Sequence, residues 1–280
     1  MSVVTPLTLD DALHTLADQP DAQLLAGGTD FMVEVNYGHR RPTAVIALSK
    51  VAGLRSSRQE GSTFILGAGL TYADLAAPAI ALPFPALAAA ARTVGSPQIR
   101  NAGTIGGNVG TASPAGDTLP VLAALDAEIE LRSLASGTRL VPWREFFVGV
   151  KRTSRRPDEL ITAVHLPVFD SRQDYLKVGT RNAMVISVAG LALVVDLEHR
   201  NVRVALGSVG PVPLRAPEAE AWVGGQIDWD TTTVPDPRTY ETFGAMVAEA
   251  SRPIDDHRST ADYRRHAVGV MARRALMRLL

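Results

Sequence analysis

The sequence predicts an α+β chain: two small lobes of short strands and helices, then an antiparallel sheet with helices of its own. Three observations predict it. From Leu9 to about Leu54, helical and strand-like runs alternate at the lengths of a small α/β lobe. A second group opens with the strand-like run Thr63 to Leu66 and closes with a hairpin and a largely buried strand, Glu159 to Leu166. Beyond the boundary Pro167 to Gln173, three strand-like runs come before the last helices.

Each element has a local reason. Thr8 precedes the helical pattern Leu9, Ala12, Leu13 and Leu16, with Asp10 and Asp11 in its first turn and Pro20 as its stop. Gln23 to Ala26 reads as a short strand, Gly27-Gly28-Thr29-Asp30 as a sharp turn, and Phe31, Met32 and Val35 as a helix start. Ala44 to Leu48 is a second strand. Gly67-Ala68-Gly69 reads as turn chemistry alone, and Pro85 to Val94 as an alanine-rich helix. Glu128 to Arg132 and Arg139 to Pro142 form a hairpin across Ala135-Ser136-Gly137, and Trp143 to Phe147 a short helix. Tyr175 to Val178, Ile186 to Leu197 and Val202 to Val209 make the antiparallel sheet. Pro217 to Val223 and Tyr240 to Ala250 are helical, and Ser259 caps a final helix from Thr260 to Leu280 with Asp262 at the capping-box position.

Composition narrows the function classes. With 28 basic and 29 acidic residues in 280, the net charge of −1 carries no nucleic-acid or membrane signature. There is no cysteine, which excludes disulfides and thiolate metal sites and argues against an iron–sulfur cluster held by this chain. The N-terminus lacks the basic start and apolar core of a signal peptide, and the longest apolar stretch, Leu75 to Ala91, is interrupted by Pro78, Pro83 and Pro85. A cytoplasmic protein is expected. The six histidines are scattered, with no zinc or hydrolase motif. Asp255 and Asp256 read as a turn or helix cap. Lys151, Arg152, Arg155 and Arg156 read as a solvated loop or, more sharply, a contact for an acidic partner. The arginines of the final helix, Arg264, Arg265, Arg273, Arg274 and Arg278, read as its solvated face or a docking surface.

One stretch stands apart. Gly95 to Leu125 spaces its glycines as Gly103-x-x-Gly106-Gly107-x-x-Gly110, interleaved with Thr104, Asn108, Thr111 and Ser113. So few side-chain carbons leave backbone N–H groups accessible, which suits an anion cradle. A buried helix then begins at Asp117, with the carboxylate as its cap. The spacing is neither a Rossmann fingerprint nor a P-loop. On spacing alone, a ligand-free Gly-rich turn and a phosphate cradle are evenly matched.

The run SPQIRNAGTIGGNVGTASPAGDTLP resembles the FAD-binding subunit of the molybdenum hydroxylases, a family that includes xanthine dehydrogenase and the carbon monoxide dehydrogenase flavoprotein. A second segment, LLAGGTDFMVEVN from Leu24 to Asn36, resembles the family's first pyrophosphate loop, and RRPDELITAVHLP and YLKVGTRNAMVIS continue the likeness over nearly the whole chain. The resemblance implies a two-lobed α+β FAD-binding domain over residues 1–168, with lobes of about 1–54 and 55–168, and a C-terminal sheet-plus-helices domain over residues 174–280.

The resemblance also assigns roles. Leu25, Ala26, Gly27, Gly28, Thr29, Asp30 and Phe31 would line the first loop against the FAD pyrophosphate and flavin. Thr104, Ile105, Gly106, Gly107 and Asn108 would form the second, donating backbone N–H groups and the Thr104 hydroxyl. Thr111 would add a hydroxyl near the phosphates, and Asp117 would accept a hydrogen bond from a sugar or ribityl hydroxyl. Ile161 would touch the adenine or ring region, and Lys177 would approach the isoalloxazine. The sequence departs from the family in three places. Thr29-Asp30 stands where the carbon monoxide dehydrogenase branch has a His-Ser pair, and Val94 where the animal xanthine enzymes place an aromatic on the flavin. The cysteine-bearing insertion of the benzoyl-coenzyme A reductase branch is absent.

The implied function is electron transfer without a catalytic side chain, because a flavin carries the redox chemistry itself. A large partner subunit with molybdenum cofactor would hydroxylate the substrate, and a small iron–sulfur subunit would pass electrons to FAD here. NAD, oxygen or another acceptor would then take them. GTRNAMVIS leans towards the bacterial xanthine-dehydrogenase-like branch. Two alternatives belong to other classes: a stand-alone FAD-dependent oxidoreductase, and a non-catalytic interaction protein that has lost FAD.

Overall fold

Helices and strands alternate only at the start of the chain. In the computed structural model, which describes residues 2–280, β1 (Ser2–Val4), α1 (Leu9–Asp18), β2 (Gln23–Leu25), α2 (Phe31–Asn36) and β3 (Ala44–Ala47) form that first unit. Its strands lie in the order β1-β3-β2 and pair in parallel. Parallel neighbours require crossovers, and α2 supplies the one between β2 and β3. Thr8 caps α1 by accepting the Asp11 N–H at 3.1 Å. Ala12, Leu13 and Leu16 are buried with Ile46, Val51 and Leu54.

The second unit is an antiparallel sheet in the order β4-β5-β10-β6-β7. It comprises β4 (Ser57–Glu60), β5 (Thr63–Gly67), β6 (Glu128–Ser133), β7 (Gly137–Pro142) and β10 (Leu160–Pro167). Between β5 and β6 run six short helices: α3 (Tyr72–Leu75), α4 (Pro78–Ala81), α5 (Pro85–Thr93), α6 (Pro97–Ala102), α7 (Ile105–Thr111) and α8 (Leu119–Ala124). Between β7 and β10 lie α9 (Trp143–Phe146) and the hairpin of β8 (Phe147–Gly149) and β9 (Arg152–Thr153).

The third unit is the antiparallel sheet β11 (Ser171–Val178), β12 (Ala189–Asp196), β13 (Asn201–Gly207) and β14 (Leu214–Arg215), with α10 (Pro217–Gly224), α11 (Arg238–Ala250) and α12 (Ala261–Leu279). Every residue of β12 is buried. Its Leu191, Leu193 and Val195 face the C-terminal helices, whereas Ala192 and Val194 join the core of the preceding unit. The expected mixed architecture holds.

Several local expectations need correction. Thr260, not Ser259, caps α12, accepting the Tyr263 N–H at 3.2 Å, and Asp262 pairs instead with Arg265. Arg264 is buried, not solvated: it donates to the carbonyls of Val188 and Ser208 and to Asp256. The boundary Pro167 to Gln173 is mostly strand, since β10 runs to Pro167 and β11 starts at Ser171.

Candidate functional site

The β2–α2 turn and the start of α7 face one cleft of about 1010 Å³. Gly27 is pressed against α6, where a Cβ would lie 1.8 Å from the Ala102 carbonyl oxygen. Gly28 takes the left-handed conformation, φ +74°, that lets the chain reverse. Among the described residues, the backbone N–H groups of Gly27, Gly28, Thr29 and Asp30 have no acceptor in the chain. All four residues line the cleft. Consecutive free N–H groups of this kind form an anion-binding concavity.

The second glycine run works differently from the expectation that it donates its N–H groups. Ile105 N–H bonds the Leu70 carbonyl at 2.9 Å, Gly106 N–H the Ala68 carbonyl at 2.8 Å, and Asn108 N–H the Thr104 carbonyl at 2.9 Å. Gly107 N–H donates to Thr104 Oγ1 at 3.0 Å, making Thr104 the cap of α7. These donors are already engaged, so this wall offers the Thr104 hydroxyl hydrogen and a bare backbone face. Gly106 is glycine for packing, since a Cβ would lie 2.5 Å from Ala68 Cβ. Gly107 is different: the nearest atom to a Cβ there is Thr104 Oγ1 at 3.1 Å, and the next is Ala26 Cβ at 3.9 Å. Gly67-Ala68-Gly69 is therefore more than a turn. Ala68 and Gly69 line the cleft, and Gly69 N–H holds the Leu54 carbonyl at 2.7 Å.

Ala26, Gly27, Gly28, Thr29, Asp30, Phe31, Thr104, Gly106, Gly107, Asn108, Thr111, Asp117 and Ile161 all line the cleft. Leu25, Ile105 and Lys177 do not; Ile105 is fully buried, and Leu24 lines the wall beside Leu25.

Asp117 is not a helix cap. α8 begins at Leu119 after Thr118, whose hydroxyl donates to Asn108 Oδ1 at 2.5 Å. The Asp117 carboxylate turns to β11 instead. Lys177 Nζ donates to its Oδ2 at 2.6 Å, the Tyr175 hydroxyl to its Oδ1 at 3.1 Å, and Thr93 Oγ1 to its Oδ2 at 3.4 Å. Burial pushes the Asp117 carboxyl above the ordinary carboxylate range, while Lys177, Tyr175 and Thr93 each pull it back. Burial, and then the nearby Asp117 charge, push the Tyr175 hydroxyl well above its ordinary value, and the Tyr72 hydroxyl moves up for the same reasons.

The basic cluster before Pro157 divides. Arg152 and Arg156 are exposed, but Lys151 and Arg155 line the cleft. Lys151 donates to Glu34 at 2.6 Å, and Arg40 pairs with the same carboxylate at 2.8 Å. Those contacts, led by the Lys151 hydrogen bond, hold the Glu34 carboxyl below its ordinary value against a modest burial effect. Arg155 Nη1 donates to the Glu159 carbonyl at 2.7 Å. Sequence reasoning missed Arg55, Lys151, Arg155 and the segment Met184, Val185 and Ile186 as cleft residues. The Lys151–Glu34 pair spans 117 positions, which no local pattern signals.

Among the described residues, no group of three or more His, Cys, Asp or Glu could hold a metal ion, and no helix is long and apolar enough to cross a membrane. Family models match twice: an FAD binding domain in molybdopterin dehydrogenase over residues 1–169, and the CO dehydrogenase flavoprotein C-terminal domain over residues 174–279. The xanthine dehydrogenase FAD-binding subunit of Escherichia coli O157:H7 is 30% identical over 278 residues, covering 96% of this chain and 92% of that one. The nicotinate dehydrogenase FAD-subunit of Eubacterium barkeri is 36% identical over 256 residues, covering 86% of each. Among solved structures, the carbon monoxide dehydrogenase of Hydrogenophaga pseudoflava lacking the Mo-pyranopterin moiety superposes with a TM-score of 0.90 at 29% identity, covering 100% of this chain and 96% of that one. With both halves matched in order, this chain is a member of the FAD-binding subunits of the molybdenum hydroxylases.

Proposed function

We propose that this chain binds FAD across the cleft, receives electrons from an iron–sulfur small subunit, and passes them to NAD, oxygen or another acceptor, while a molybdenum-cofactor large subunit carries out the hydroxylation. The observation that carries this reading is the turn Gly27–Asp30, whose four unengaged N–H groups line a cleft floored by a carboxylate. FAD bound here supplies both one-electron and two-electron chemistry, joining an iron–sulfur donor to a hydride or oxygen acceptor.

The chain's own residues bind and orient. The N–H groups of the Gly27–Asp30 turn cradle the pyrophosphate. The bare backbone at Gly107 allows close approach from the other wall, and the Thr104 and Thr111 hydroxyls donate beside it. Asp117 accepts from a sugar or ribityl hydroxyl through lone pairs not engaged by Tyr175 and Lys177. Ile161, on β10, gives an apolar contact. Lys177 acts on the ring region through Asp117, with which it pairs at 2.6 Å. Residues 1–168 form the FAD-binding part, with lobes of about 1–54 and 55–168, and residues 174–280 the C-terminal part. We place the assembly in the cytoplasm and favour a xanthine-dehydrogenase-like bacterial enzyme, on the motif GTRNAMVIS.

The test is a visible absorption spectrum of the purified chain with and without added FAD, with the released cofactor identified after denaturation. A flavin spectrum that releases FAD is expected. No flavin uptake, alone or with the two partner subunits, overturns the reading.

A further inference from the structure

Strand β11 belongs to the C-terminal sheet, yet two of its side chains end on a carboxylate of the cleft. Lys177 holds Asp117 Oδ2 and the Tyr175 hydroxyl holds Oδ1. Asp117 lines the cleft, whereas Tyr175 and Lys177 stand behind it. Tyr175 is 6% exposed. A buried hydroxyl is costly unless it is hydrogen-bonded, and a phenylalanine would fill the same space without that cost. The Tyr175 hydroxyl gives its hydrogen to Asp117 Oδ1.

The sheet also makes room for that hydroxyl. Gly190, on β12, sits directly opposite Lys177, and a Cβ there would lie 3.2 Å from the Tyr175 oxygen. A single lysine contact leaves a carboxylate free to turn about its Cβ–Cγ bond. A second donor on the other oxygen fixes the plane, and with it the direction of the lone pairs that remain for the cleft.

We propose that Tyr175 is a positioning residue for the flavin: its hydroxyl fixes the plane of the Asp117 carboxylate, so that the C-terminal sheet sets the geometry of the cleft floor. The inference rests on the flavin reading. Four side chains face Asp117: Tyr175 and Lys177 from β11, Thr93 from the end of α5, and Tyr72 from α3. The two tyrosines stay protonated, so neither contributes a charge change near neutral pH.

The experiment measures the FAD dissociation constant of the full-length chain by flavin fluorescence between pH 5 and 8, for the wild type, Tyr175→Phe, Gly190→Ala and Asp117→Asn. Tyr175→Phe removes one hydrogen bond that favours the carboxylate, so FAD affinity falls roughly tenfold at pH 7. The acid limb of the profile also moves to higher pH. Gly190→Ala keeps the hydroxyl but displaces it, and moves the limb the same way. Asp117→Asn removes the limb altogether. Wild-type affinity with an unmoved limb in Tyr175→Phe overturns the inference. So does weaker binding with an unmoved limb in both Tyr175→Phe and Gly190→Ala, because that is the signature of loosened packing alone. A wild-type chain that takes up no FAD at any pH, alone or with the two partner subunits, sinks the flavin reading itself, and the inference with it.

Discussion

Two neighbouring glycines do different work, and mutation separates them. A methyl at Gly106 meets the Cβ of Ala68 at 2.5 Å and its carbonyl oxygen at 2.7 Å, with nothing flexible among those atoms to give way. Gly106→Ala therefore destabilises the fold by about 1–3 kcal/mol, read as a fall in melting temperature. A side chain at Gly107 meets only the Thr104 hydroxyl at 3.1 Å and then enters the cleft. Gly107→Val leaves the melting temperature of the FAD-free protein within a few degrees but abolishes FAD binding; unchanged affinity would remove that wall from the cradle. Lys177 is a third case. Its pair with Asp117 is nearly dry, with side-chain exposures of 8% and 7%. Lys177→Met strands the carboxylate, at a cost of roughly 3–5 kcal/mol, and Asp117→Asn in the same chain recovers much of it. A thermal melt of both variants checks this.

At the scale of the element, legibility followed burial on one face. α1 could be read from Thr8 and the spacing of Leu9, Ala12, Leu13 and Leu16, because its inner face alone is apolar. β4 could not: all four of its residues are exposed, and its place is fixed only by pairing to β5. For β12 the sequence suggests Ile186 to Leu197, three residues too many at the start and one at the end, because an all-buried strand has no alternation to mark its ends. In the cleft, the glycine loops were legible by composition, but the use of their N–H groups was not. Whether Gly106 donates outward or to Ala68 depends on a partner 38 positions away (106 − 68). The arginines of α12 misled for a related reason. Arg264 has a solvated-looking neighbourhood in sequence, yet it is 3% exposed and ties α12 to Val188 just before β12, to Ser208 just after β13 and to the Asp256 turn. That turn carries a pH prediction. Partial burial pushes the Asp256 carboxyl up, but hydrogen bonds from Arg258 N–H, Arg264 and Ser259 N–H outweigh it and hold it at about 2. A depressed carboxyl stabilises the fold above its unfolded value of 3.8, and that stabilisation is lost as pH falls from there towards 2. Asp256→Asn should flatten the decline in melting temperature over that window. An unchanged slope would assign acid unfolding to other carboxylates.

At the scale of the whole molecule, α8 joins the halves. All six of its residues are buried. Pro120 packs on Gly207 of β13, and Arg215 of β14 donates to the Ala123 carbonyl at 3.1 Å and to Asp126 at 3.1 Å. Tyr175, Ala192, Val194 and Ala205 from the C-terminal sheet complete the same core. A fragment of residues 1–169 expressed alone should therefore aggregate, whereas the same fragment co-expressed with residues 170–280 should co-purify with it. A soluble, FAD-binding 1–169 fragment would show that the shared core is dispensable.

The position of α8 also sets a timetable. Its residues leave the ribosome some 90 positions before Arg215, the side chain that closes over its last turn (215 − 125 = 90). At ordinary rates of synthesis that interval is on the order of ten seconds. Throughout it the nascent helix has one wall and no lid. The Gly27–Asp30 turn is made first, and the sheet that holds Asp117 arrives later. On the flavin reading, the floor of the cleft is thus set only once β11 has been made, 60 positions behind Asp117.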